Sequence, residues 1–99
     1  MPETLYERRS QEKYIAFIWT GNTNSIPGWF LSAVEGLQVV FDIPTGRNRL
    51  EFYSFSKKYI VRSSEVVVVR WNSELNKPVK NAAFKHSARA FEEIYKEVE

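Results

Sequence analysis

The sequence predicts an α+β fold: a single antiparallel sheet of about four to five strands, packed by a C-terminal helix and by a short helix after the first strand. Three observations carry this. Residues 13–20 and 66–69 are β-branched and aromatic runs, and branched side chains pack well on a pleat but are stiff in a helix. Residues 37–43 alternate along a strand, and a hairpin loop leads to a second strand at 49–55. Phe84, Ala88, Phe91, Tyr95 and Val98 recur at helical spacing. The chain has 99 residues and no Cys, so two half-length domains would lack both core and staple. A single domain over 1–99 is expected.

At the N-terminus, Leu5 and Tyr6 sit among charges, so residues 1–12 read as a loosely ordered arm or a short helix. Residues 13–20, KYIAFIWT, have few polar breaks and are short for a helix; they read as a strand covered on both faces. Residues 21–25 are turn formers. In 26–36, Pro27 suits the first helical position and Gly36 the residue past a helix end. Ile26, Trp29, Phe30, Ala33, Val34 and Leu37 form its apolar stripe, which Gly28 weakens.

Leu37, Val39, Phe41 and Ile43 then share one strand face, while Gln38, Val40 and Asp42 share the other. Residues 44–48 read as a hairpin loop. The next strand, 49–55, puts Leu50 and Phe52 on one side and Tyr53 and Phe55 on the other. Residues 56–58 turn the chain, 59–62 and 65–71 are strands, and 72–78 form a loop. Asn81 is read as the N-cap of the last helix, because its side-chain oxygen can accept from a backbone N–H one turn in.

The net charge of +2 is unevenly spread. Residues 44–89 hold ten cations and three carboxylates, whereas 90–99 hold one cation and four carboxylates. Either the basic middle meets an anionic partner, or the acidic tail lies over a basic sheet and pairs with it.

Little here suits catalysis. His86 is the lone His and Asp42 the lone Asp, and a thiol nucleophile or thiolate metal site is excluded. Glu92 and Glu93 point about 100° apart on a helix and make no facing pair. No catalytic, cofactor-binding or metal-binding residues are assigned, no cofactor is implied, and an enzyme is not expected. The longest apolar runs, 15–19 and 66–69, are too short to cross a membrane and the charged N-terminus does not resemble a secretion signal. No membrane insertion is expected, and the chain reads as soluble and intracellular.

The basic middle is the functional lead. Arg47, Arg49, Lys57, Lys58, Arg62 and Arg70 are candidate nucleic-acid contacts, because cations can hold phosphates while neighbouring rings stack on bases. Trp29, Tyr53 and Trp71 are candidate aromatic contacts. The alternative is that these cations only decorate the wet face and edges of a sheet.

With no Cys, 26% charged residues and strands such as 37–43 and 66–71 in 99 residues, the chain resembles small proteins of unknown function encoded by filamentous viruses of acidophilic, hyperthermophilic archaea, the lipothrixvirus and rudivirus relatives. This resemblance implies viral origin, residence in host cytoplasm or virion, and tolerance of heat and acid. The order Trp19-Thr20-Gly21-Asn22, a short helix with Phe30, a strand-rich stretch and Phe91-x3-Tyr95 is also similar to short uncharacterised phage proteins. In that group a Pro-Gly-Asp turn precedes the last strand, where this chain has Ser63-Ser64-Glu65. The expected function is non-enzymatic binding, to another protein or to itself as a homodimer. The alternative is nucleic-acid binding through a basic, aromatic-interleaved sheet.

Overall fold

The computed structural model describes residues 5–7 and 12–97. Its strands are β1 (Leu5–Glu7), β2 (Lys13–Ile18), β3 (Glu35–Asp42), β4 (Arg47–Ser54), β5 (Lys57–Val61), β6 (Val66–Asn72), β7 (Lys77–His86) and β8 (Lys96–Glu97). Helix α1 is a single turn, Gly28–Leu31, and α2 spans Ala88–Ile94. The expected single sheet is thereby corrected. The described residues form two antiparallel sheets, one of five strands in the order β7-β6-β2-β1-β8 and one of three in the order β3-β4-β5, and the fold is mostly β.

The reason lies in how the faces are covered. Val66 to Val69 pair with β2 on one side and β7 on the other, so β6 is central. Val67 and Val69 join Ile15, Phe30, Leu50, Phe52 and Val61 in a core between the two sheets. Val66 and Val68 turn the other way and meet Tyr14 and Tyr95, with Phe84 and Phe91 packed alongside. A run such as Val66 to Val69, apolar at every position, needs a cover on both sides. One cover is the helix foreseen from the sequence; the other is the second sheet, which alternation within a strand cannot announce.

The C-terminal helix is shorter than expected, and residues 81–86 are strand. Asn81 is not an N-cap. It takes a left-handed backbone (φ 60°) at an irregularity in the β6–β7 register, where its N–H donates to the Ala33 carbonyl at 2.8 Å. The cap is Ser87, whose Oγ accepts from the Ala90 N–H at 3.1 Å. Phe84 keeps helical spacing with Phe91 and Tyr95, and all three cover the same face of the large sheet, Phe84 from a strand, Phe91 from α2 and Tyr95 from the residue that ends it. His86 likewise lies on a strand, with Nε2 3.2 Å from the Tyr95 hydroxyl. Val98 of that stripe lies outside the described residues, as do 1–4 and 8–11 of the expected arm; 5–7 form an ordered strand.

The helix expected over 26–36 is reduced to α1, preceded by a 3-10 turn at Thr23–Ser25. Gly36 lies within β3 with φ +63°, and a Cβ there would come 2.9 Å from the Tyr53 ring. The β4–β5 turn is tighter than expected: Phe55 and Ser56 alone form it, and Lys57 already pairs with Ser54. Two polar contacts tie the sheets together. The Ala83 N–H donates to the buried Ser54 Oγ at 3.0 Å, and Lys85 Nζ donates to the Ile60 carbonyl at 2.6 Å.

Candidate anion-binding cleft

The small sheet has one covered face and one wet face. On β4, Leu50 and Phe52 point into the core, so by the period of two Arg47, Arg49, Glu51 and Tyr53 point outward. Cross-strand partners share a face, which adds Gln38, Val40 and Asp42 from β3 and Lys58 and Ile60 from β5. Four of the six candidate cations, Arg47, Arg49, Lys58 and Arg62, stand on this side or at its end.

They are not equivalent. Glu51 is only 3% exposed and is gripped by Arg49 Nε at 2.6 Å and Lys58 Nζ at 3.1 Å, with Gln38 Nε2 at 3.4 Å. The Arg49 hydrogen bond first, then that of Lys58, hold its carboxyl below the usual carboxylate range. Arg49 also reaches Asp42 Oδ1 at 3.1 Å, and Thr45 Oγ1 donates to Asp42 Oδ2 at 2.7 Å. Arg49 and Lys58 are therefore committed within the protein.

Arg47 and Arg62 make no ion pair among the described residues, and both are exposed. Together with Asp42, Thr45, Asn48, Arg49 and Ser63 they line a cleft of about 300 Å³ at the end of the sheet. A second hollow of about 390 Å³ shares Arg47, Asn48 and Ser63 and is flanked by Phe41 and Gly21.

The cleft floor is held from below by Trp19, which is fully buried. Its Nε1 donates to the Asn48 carbonyl at 3.1 Å, and Asn48 Nδ2 donates to the Gly21 carbonyl at 3.0 Å. The Trp19 carbonyl accepts from Ser64 N–H at 2.8 Å, and the Trp19 N–H donates to Glu65 at 3.0 Å. The Arg62 N–H in turn donates to Glu65 Oε1 at 2.6 Å, and that carboxylate is held by Lys85 at 3.1 Å. The loop that carries Arg62 is thus fixed on both sides, and two free guanidinium groups beside hydroxyl and amide groups suit an oxyanion.

The other sequence candidates lie elsewhere. Lys57 is at the far end of β5 with its Nζ 5.1 Å from the centre of the Tyr59 ring. Arg70 pairs with Tyr14 on the α2 side of the large sheet and binds Glu12 at 2.9 Å. Trp29 and Trp71 are half-buried against the inter-sheet core; Trp29 meets Phe17 and Phe30 edge-on, and its Nε1 has no partner among the described residues. Tyr53 is 42% exposed on the wet face. The three aromatics are not brought together.

Among the described residues the acidic tail does not cover the cleft. Helix α2 lies on the side of the large sheet opposite the small one, and Glu93 pairs with Arg89 on its own helix at 3.6 Å. Sequence reasoning missed Asp42, Asn48, Ser63 and Phe41 as site neighbours, because the loop at 62–65 reaches the β3–β4 hairpin only through the tertiary fold. Among the described residues no three His, Asp or Glu side chains gather as a metal ion requires, and no helix is long and apolar enough to cross a membrane. The chain matches no protein-family model, no curated protein and no solved structure, so none of these comparisons links it to viral or phage proteins.

Proposed function

We propose that the protein acts by binding and not by catalysis, and that its ligand is a single-stranded nucleic acid lying across the wet face of the small sheet. The observation that carries this is the pair Arg47 and Arg62, two uncommitted guanidinium groups at one preformed cleft. A phosphate there would replace no internal ion pair. Tyr53 stands six residues along β4 from Arg47, about 20 Å away at the rise of a strand. It is exposed and lies directly across from Lys58, so a base could stack on the ring while the cleft holds the backbone.

The test is fluorescence anisotropy with labelled single-stranded DNA and RNA oligonucleotides over a range of salt. Binding is expected at low salt, with log K falling linearly in log salt by roughly 0.7 per phosphate contact. The double variant Arg47→Ala/Arg62→Ala should bind at least tenfold more weakly and with a slope reduced by about 0.7 per arginine. Absence of binding at low salt, or binding that the double variant retains in full, removes this reading. Binding of inorganic phosphate without oligonucleotide would assign the cleft to a small anion instead.

A further inference from the structure

Sheet edges expose unpaired N–H and C=O groups, and proteins commonly guard them with Lys, Pro, bulges or shortness. Among the described residues three of the four sheet edges are guarded. On β7 there are Lys77, Pro78, Lys80 and Lys85 together with the irregularity near Asn81. Among the described residues strand β8 is two residues long, one of them Lys96, and β5 begins with Lys57 and Lys58. The fourth edge, β3, has neither Lys nor Pro, and its charges are confined to Glu35 and Asp42 at its ends.

The irregularity in β3 is confined to its first residues, between Glu35 and Gln38. From Gln38 to Asp42 the strand pairs with β4 without interruption, and among the described residues nothing pairs with its outer side. Phe41 is 59% exposed beside it, and Ile43, just beyond the strand end, is 81% exposed.

We infer that the outer edge of β3 pairs antiparallel with β3 of a second copy of this chain about a two-fold axis at Val40. A two-fold perpendicular to the sheet keeps like faces together only when the axis passes a residue, because a one-residue slip would turn each side chain to the other face. With the axis at Val40, the two Val40 side chains face each other. Phe41 then lies across from Val39 of the second copy on the inner side, and Asp42 across from the neutral Gln38 on the outer side. Exposed Ile43 falls beside Leu37 of the second copy. No like charges oppose one another, and each cross-strand pair is apolar–apolar or amide–carboxylate. The edge is complementary to itself, which is why the occupant is a second copy and not an unrelated strand. The result is a continuous six-stranded sheet, β5-β4-β3 joined to its symmetry mate, whose two outer faces lie on the same side.

The test is sedimentation equilibrium of the whole chain without nucleic acid, so its outcome is separate from the fate of the cleft. Wild type should show a concentration-dependent monomer–dimer equilibrium. Val40→Lys and Val40→Glu place like charges face to face across the axis while changing an outward-facing side chain. Each variant alone should raise the dimer dissociation constant at least tenfold. An equimolar mixture should restore the dimer, which a misfolded variant could not do. A strict monomer up to several hundred micromolar, a dimer that Val40→Lys leaves intact, or failure of the mixture to reassociate would overturn the inference.

Discussion

Trp19 shows how one buried side chain shapes the cleft. Its indole fills the inter-sheet core while its Nε1 and backbone fix Asn48, Ser64 and Glu65. Trp19→Phe keeps an aromatic ring but leaves the Asn48 carbonyl without that donor. A cost of about 1–3 kcal/mol is expected, from the unsatisfied group and the lost volume, measured by urea denaturation. Oligonucleotide affinity should fall with it, since Arg47 and Arg49 flank Asn48 on β4. Glu51 gives a second prediction at this scale. Its folded-state carboxyl is held below the usual range by Arg49 and Lys58. The stabilisation is therefore fully present above the unfolded value, near 4.3, and is lost as pH falls through the lower folded value. Glu51→Gln should lower the urea midpoint at pH 7, and the gap from wild type should close as the solution is acidified below about pH 4.3. A gap that stays constant from pH 7 to the acid limit would show that Glu51 acts by shape and not by charge.

At the scale of elements, the β4–β5 turn is built from residues that do not favour it. Phe55 and Ser56 have φ of 51° and 65°, the left-handed conformation at both central positions that Asn-Gly adopts more readily. Phe55 is exposed, so replacing it removes no core contact. Phe55→Asn/Ser56→Gly should stabilise the protein by about 1–2 kcal/mol, the typical scale of left-handed strain; an unchanged urea midpoint would refute this. The same turn explains one limit of the sequence reading, because Phe-Ser carries no turn signature and Ser-Lys-Lys looked more turn-like. Strands β2 and β6 were legible because branched and aromatic runs have few other ways to pack. The split of β4 into a Leu50–Phe52 side and a Tyr53 side followed from alternation, whereas Arg47, read as part of the hairpin loop, is a strand residue on the Tyr53 side. The helix boundary was not legible, since Phe84 keeps helical spacing with α2 although its strand reaches Phe91 and Tyr95 only across a shared sheet face. The meeting of Arg47 with Arg62 was not legible either. It depends on the loop at 62–65 folding back beneath the β3–β4 hairpin, and that return is dictated by contacts of Trp19 far away in sequence.

The whole molecule is organised around a sheet that serves two cores at once. Val67 faces the core between the sheets, Val68 faces the core under α2, and both are fully buried. Because the side chains lie on opposite sides of one strand, the two cores are joined by backbone hydrogen bonds and not by shared side-chain contacts. Val67→Ala and Val68→Ala should each destabilise the chain by about 1–3 kcal/mol, in keeping with loss of buried branched carbon. The double variant measures their coupling: the two side chains share no partner but the residues are adjacent, so a loss different from the sum would report strain passed through the common backbone. Their effects on binding should differ. Val67 packs in the cluster that contains Trp19 and Leu50, directly beneath the wet face, whereas Val68 belongs to the cluster of Tyr14 and Tyr95 on the far side. Under conditions where both variants remain folded, Val68→Ala should bind oligonucleotide as wild type does, and Val67→Ala should bind more weakly. Equal loss of affinity in both would mean that the cleft responds to the stability of the fold as a whole and not to the core that supports it.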